Sequence, residues 1–216
     1  MRLIQIRPLI SVASFIGWLT VALRLYLAIQ NSVASNIGIF EGIVTWSSYF
    51  TVLTNILAAS TLIANSIKTQ KETNLNWALR FLRRPEVNTA VATYISVVAL
   101  IYHFILRHLF DHQGLAAIVN ISQHYLMPGL FMIYWWFGVP KQKIKWRLTV
   151  PLLYYPLCYL VYILILGSLR NSYPYPFMDV VQLGGLQVAK NSMGVLIFFM
   201  AVSSIFIILG QIQRRH

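Results

Sequence analysis

Acidic residues are scarce: Asp and Glu number 5 in a chain of 216 residues, against 17 Lys and Arg. Charged residues of both signs make up 10% and hydrophobic ones 58%, so the chain lacks the polar side chains that a water-facing surface needs. It reads as a membrane protein. The single cysteine, Cys158, lies in an apolar run, which excludes an internal disulfide, a zinc knuckle and a dithiol redox pair. No Gly-rich phosphate loop, dinucleotide fingerprint, HExxH or GxSxG occurs, and no internal repeat or low-complexity tract. The net charge of +12 raises nucleic acid as a partner. However, Lys and Arg gather in short segments between apolar runs rather than along one amphipathic face. Topology and anionic lipid headgroups account for them, and no nucleic-acid partner is expected.

A membrane-crossing helix needs about 20 mainly apolar residues. Segments at roughly 8–29, 46–67, 87–107, 115–138, 147–168 and 187–210 qualify, predicting an all-α, polytopic bundle of six transmembrane helices that forms one domain over 1–216. The basic start over 1–7 is like that of a signal peptide, but the apolar run after it exceeds the usual h-region, so a retained span is expected. The termini and the second and fourth loops carry Arg2, Arg7, Lys68, Lys71, Arg80, Arg83, Arg84, Lys141, Lys143, Lys145, Arg147, Arg214 and Arg215. The opposite loops carry Arg107 and Arg170. Short cytoplasmic loops collect positive charge, so both termini are expected in the cytoplasm. The longest cytoplasmic loop, about 68–86, is too short to fold alone.

This orientation converts position into depth at about 1.5 Å per residue. In the second span Thr51 falls roughly 8 Å below the outer end and Asn55 roughly 14 Å below; His124 in the fourth falls roughly 14 Å down, after Asn120, Ser122 and Gln123. His103 and Arg24 lie near the outer ends of their spans, and Lys190, Asn191 and Ser192 open the last. Polar groups are costly against lipid, so these should turn inward and line a cavity open toward the outer leaflet. Trp46, Tyr49, Tyr102, Tyr125, Tyr173, Tyr175 and Phe177 share this level, as an interfacial belt or as the walls of an acyl-chain tunnel.

Thr51, Thr54 and Asn55 stand at i, i+3 and i+4, on one helical face. One reading makes them packing groups, the threonines bonding back one turn and the asparagine bridging to a neighbouring helix. The other pairs a threonine hydroxyl with a histidine base, the minimal arrangement for attack on an ester. His124 is the deepest histidine with the most polar surroundings. It is either that base or a structural hydrogen-bond partner. His103, one turn before Arg107, positions substrate or caps the bundle. His108 and His112 have the i, i+4 spacing of a metal pair, with Asp111 nearby, but no second ligand cluster exists, and no metal is assigned. The sequon at Asn120 falls within a span and is set aside.

Three segments resemble the Pr6Pr family of six-span prokaryotic membrane proteins and, more distantly, the animal androgen-induced, FAR-like proteins. They are Trp-Ser-Ser-Tyr-Phe-Thr-Val-Leu-Thr-Asn over 46–55, His-Tyr-Leu-Met-Pro over 124–128 and Tyr-Pro-Tyr-Pro-Phe-Met-Asp over 173–179. Their order and the chain length agree, so the resemblance covers nearly the whole chain. The animal proteins are threonine hydrolases of fatty acid esters of hydroxy fatty acids. The resemblance therefore implies Thr51 as nucleophile, with Thr54 the alternative, and His124 as base. The animal pattern has two histidines before that proline where this chain has one. It also implies a bacterial plasma membrane.

Two functions follow as expectations. The first is an intramembrane lipid ester hydrolase: Thr51 attacks the carbonyl, His124 moves the proton, and Asn55, Lys190 or Asn191 donates to the oxyanion. Thr54, His103 and Asn120 would line its substrate site. No acidic residue lies inside a span, so this is a dyad without a carboxylate. No cofactor is required. The second is a non-catalytic protein that binds or transports a lipid or small molecule in the same cavity. Both take membrane lipid or an apolar acyl chain as partner, and neither specifies an oligomeric state.

Overall fold

In lipid the backbone has no hydrogen-bond partner but itself, so long apolar runs become helices. A computed structural model describes residues 3–69, 75–109, 111–142 and 144–215, with no strand among them. The first and last helices are α1, Leu3–Ala34, and α10, Gly185–Arg215. Between them run α2 (Ile39–Ser48), α3 (Phe50–Ser66), the short α4 (Trp77–Leu82) and α5 (Pro85–Ile101). Next come α6 (Gly114–Ile121), α7 (Met127–Gly138), α8 (Tyr154–Arg170) and the single turn α9 (Val180–Leu183). Four helices, Ile6–Ala34, Pro85–Leu106, Trp146–Arg170 and Gly185–Arg214, are long and apolar enough to cross a membrane, and α2 with α3 makes a fifth if the pair is one span. The helical run Gly114–Gly138 falls short of that apolarity because Asn120, Ser122, Gln123 and His124 interrupt it.

The expected single helix over 46–67 is broken. α2 meets α3 at 77°, with Tyr49 extended between them (φ −85, ψ 124). The Ser47 and Ser48 hydroxyls bond back to the Val44 and Thr45 carbonyls at 2.9 and 2.6 Å, competing with the helical ladder. The carbonyl that the break releases at Ser48 accepts from the Tyr159 hydroxyl at 2.7 Å. α2 is held across the top of α1 by Trp46, whose indole donates to the Val21 carbonyl at 3.3 Å, and to α8 by a Glu41–Arg170 ion pair.

α3 is the central helix. Thr54, Asn55, Ala58, Ala59 and Leu62 are fully buried. α1 approaches it closely because Gly17 has no Cβ: one placed there would lie 2.9 Å from that of Ala59. The Ser14 hydroxyl then reaches the Ala59 carbonyl at 2.9 Å. α5, α7 and α10 complete the core around Ile95, Phe131, Trp135 and Phe206.

Ile6 packs at Gly138, and Gly210 at Ile144, so both termini share one end of the bundle with the segments that follow α3 and α7. Arg7, Lys68, Arg80, Arg83, Arg84, Lys141, Lys145, Arg147 and Arg214 belong to this end. Arg2, Lys71 and Lys143 lie outside the described residues, as does the side chain of Arg215. Lys141 closes α7, donating at 2.6 Å to both the Trp135 and Val139 carbonyls. At the opposite end α8 stops at Asn171, whose left-handed backbone (φ 50) turns the chain sharply. The Tyr173 ring then packs directly on Gly167, folding the connection to α9 back over the bundle.

Candidate functional site

Two π-helical turns form the middle of the site. α5 continues through Tyr102–Leu106, closed by the Arg107 amide on the Tyr102 carbonyl at 2.8 Å. α6 passes into α7 through Ser122–Leu126, closed by the Met127 amide on the Ser122 carbonyl. Pro128 follows at once, and having no N–H it cannot restore the α ladder to residue 124. The two turns meet where the Tyr102 ring stacks on His124, centroids 3.9 Å apart and planes 18° from parallel. Asn120, one turn before His124, donates from its side-chain amide to the Tyr102 hydroxyl.

Thr51 and His124 come together from α3 and the second π turn. Thr51 Oγ1 lies 3.3 Å from His124 Nε2, and His124 Nδ1 lies 2.9 Å from the Asn120 backbone carbonyl. A carbonyl only accepts, so the neutral ring carries its proton on Nδ1. Nε2 therefore presents a lone pair to the Thr51 hydroxyl, which donates to it. This is the tautomer a general base needs. Both residues are nearly buried, at 7% and 9% exposure. Thr54 sits one turn further on, fully buried, and its hydroxyl meets Tyr155 Oη at 3.4 Å rather than a histidine. Asn55 is a staple: its amide donates to the Thr51 carbonyl at 2.9 Å and to the Gln123 carbonyl at 3.2 Å. With both amide hydrogens engaged, Asn55 cannot donate to an oxyanion.

Thr51 lies on the wall between two cavities. One carries the polar groups of Arg24, Tyr49, Tyr102, His112, Asn120, Gln123, His124 and Tyr175 among its lining. The other is apolar and is lined by Phe50, Val98, Ile101, Tyr159, Phe177, Leu196 and Phe199 among others. Thr51, Leu106 and Tyr175 border both. The buried Ser192 hydroxyl, on the apolar side, has no partner among the described residues.

The break at Tyr49 gives α3 a new N-terminus at Phe50, with no side-chain cap from its N-cap residue. Tyr175 is buried beside it and borders both cavities together with Thr51. Burial pushes the Tyr175 hydroxyl up from its ordinary pKa, so it remains protonated. In the polar cavity the Arg24 guanidinium lies over the Tyr49 ring, 5.5 Å from its centroid. His112 is pushed below its ordinary value by burial first and by the Arg24 charge second, with Asp111 pulling the other way.

The other expected site residues fall elsewhere. His103 Nδ1 pairs with Tyr125 Oη at 3.2 Å and lines neither cavity. Lys190 is exposed on α10 and is not an oxyanion donor to Thr51. The Asn191 amide donates to the Phe177 carbonyl at 2.8 Å, tethering the loop over the apolar cavity without reaching Thr51. His108 accepts from Arg107 Nε at 2.9 Å. No group of three or more His, Cys, Asp or Glu that could hold a metal occurs among the described residues. Arg24, expected to turn inward at this level, and Tyr175, expected there as a belt or tunnel aromatic, both line the polar cavity, but neither was expected to act on Thr51. Scanned against known families, curated proteins and solved structures, the chain matches none.

Proposed function

We propose that this protein is a six-span membrane lipid esterase, its termini in the cytoplasm of a bacterium, with Thr51 as nucleophile and His124 as general base. The observation that carries the reading is the Thr51–His124 contact at 3.3 Å, with the base tautomer set by the Asn120 carbonyl. The two cavities meeting at Thr51 support it: the apolar one suits an acyl chain and the polar one an alcohol portion and water. Thr51 Oγ1 attacks the ester carbonyl carbon as its proton passes to His124 Nε2. The tetrahedral oxyanion accepts from the Tyr175 hydroxyl at the N-terminus of α3. Collapse breaks the carbon–oxygen bond, and the leaving alcohol takes the proton from His124. Water, deprotonated by the same ring, then cleaves the acyl-threonine and regenerates the hydroxyl. Esters of hydroxy fatty acids are the substrate class implied by the resemblance of the 46–55, 124–128 and 173–179 segments.

The test is reaction of purified protein with a fluorophosphonate probe and hydrolysis of a lipid-ester panel, comparing wild type with Thr51→Val, Thr54→Val and His124→Ala. Thr51→Val and His124→Ala should abolish turnover and Thr54→Val should retain it. Unchanged hydrolysis in Thr51→Val would sink the mechanism. One observation favours a non-catalytic lipid-binding role instead: His124 Nδ1 is paired with a backbone carbonyl, not with a carboxylate that would stabilise a charged ring. Saturable lipid binding without hydrolysis of any panel member would support that role.

A further inference from the structure

A second polar pocket, about 310 Å³, lies at the end of the bundle where α1 starts and α10 ends. Arg80 of α4, Arg83 and Arg84 between α4 and α5, and Arg7 from the sequence-distant α1 all line it, so guanidinium groups from two remote parts of the chain converge there. No carboxylate among the described residues lines it. A sphere of this volume has a radius of roughly 4 Å, inside the Debye length of about 8 Å at physiological salt, so an anion at its centre feels all four charges.

The floor of the pocket is fixed and self-satisfied. Asn88 Oδ1 accepts from the Tyr134 hydroxyl at 2.6 Å and from the Asn65 amide at 3.3 Å. The Asn88 amide donates to the Leu82 and Arg84 carbonyls at 3.0 and 2.7 Å. Arg83 donates to the Ala64 and Ile67 carbonyls, closing the end of α3. The remaining arginines are poised differently. Arg7 Nε is buried with no hydrogen-bond partner, an arrangement that costs stability unless a ligand supplies the acceptor. Arg84 stacks on the Phe81 ring at 5.8 Å, which leaves its edge N–H groups free. Arg80 makes no side-chain hydrogen bond or ion pair among the described residues and is exposed. α5 begins at Pro85 in the pocket wall, and its N-terminus has no side-chain cap.

A general attraction for anionic lipid needs basic residues near the surface, not a concave site with a buried guanidinium Nε that has no partner among the described residues. We propose that this pocket binds a phosphate group, held by Arg7, Arg80 and Arg84. Its source is either a phospholipid headgroup of the adjacent leaflet or a soluble phosphate. Paired N–H groups of guanidinium match the oxygens of phosphate in a bidentate fashion. The site is separate from Thr51, and its test involves no catalysis, so it stands or falls independently of the esterase reading.

The experiment measures binding to delipidated protein in mild detergent, using phosphatidic acid, phosphatidylcholine and inorganic phosphate as probes. Wild type is compared with Arg80→Gln/Arg84→Gln and, separately, Arg7→Gln. Lys145→Gln/Arg147→Gln removes the same charge from exposed positions outside the pocket and serves as control. The expected result is phosphatidic acid bound at least tenfold tighter than phosphatidylcholine. That preference should fall about tenfold in each pocket variant and less than twofold in the control. Competition by millimolar inorganic phosphate assigns a soluble source, and its failure to compete assigns the headgroup of an intact lipid. Equal losses in pocket and control variants, or no preference for phosphatidic acid in wild type, would overturn the site. Among the described residues Arg80 and Arg84 make no hydrogen bond from their side chains, so their double variant should stay folded and keep the experiment decisive.

Discussion

A base that takes its tautomer from a backbone carbonyl is insulated from substitution. Asn120→Ala removes the side-chain bond to Tyr102 but leaves the carbonyl that holds His124 Nδ1. It should therefore retain measurable hydrolysis where His124→Ala retains none. Tyr175→Phe removes the proposed oxyanion donor. It should lower kcat about 10²-fold with little change in KM; an unchanged kcat would remove Tyr175 from the mechanism. Asn55→Leu leaves the Thr51 and Gln123 carbonyls without their shared donor in a buried setting, at a cost of about 1–3 kcal/mol. A lowered thermal midpoint, together with lost turnover, is the expected signature. Orientation and helical rise placed Thr51, Thr54, Asn55 and His124 in the same outer half of the bundle, and the resemblance of the 46–55 and 124–128 segments singled out Thr51 and His124 among them. The misplacement of Lys190 has the same source: rise per residue yields depth but not direction around the helix axis, and Lys190 faces outward.

The elements that were least legible are the ones that shape the site. Glycine or proline at 47–49 would have announced the break before α3. Ser47, Ser48 and Tyr49 announce nothing, because the bend arises from serine back-bonding and from Tyr159, which is more than a hundred positions away. The π turns likewise left no trace except Pro128. The expected spans 87–107 and 147–168 fall within a few residues of Pro85–Leu106 and Trp146–Arg170, whereas α1 and α10, at 32 and 31 residues, overrun the expected 8–29 and 187–210 because a helix can continue past its apolar stretch. Position 42 tests how α2 is held. A Cβ there would lie 2.8 Å from the Ile29 Cα and 2.9 Å from the Ala28 carbonyl oxygen, both backbone atoms that cannot swing aside. Gly42→Ala should lift α2 from α1 and lower the thermal midpoint of the purified protein. A midpoint equal to wild type would mean that this contact does not hold α2.

Across the whole molecule, the positive charges separate by end, as the sequence pattern anticipated, with both termini and the basic segments together. Which end faces the cytoplasm can be read by labelling. In a Cys158→Ser background, Ser35→Cys and Gln142→Cys each supply one exposed thiol at opposite ends. An impermeant maleimide added to intact cells should label Ser35→Cys alone, and Gln142→Cys only after permeabilisation. The reverse pattern would invert the topology. Thr51, shared between an apolar cavity and one with polar lining, has a consequence for the order of turnover. On the proposed chemistry, the alcohol fragment departs by the polar side while the acyl fragment stays tethered on the apolar side. The two products then leave by separate doors and in a fixed sequence. Added fatty acid should compete with the ester for the resting enzyme, whereas added alcohol should slow turnover by reversing the first half-reaction.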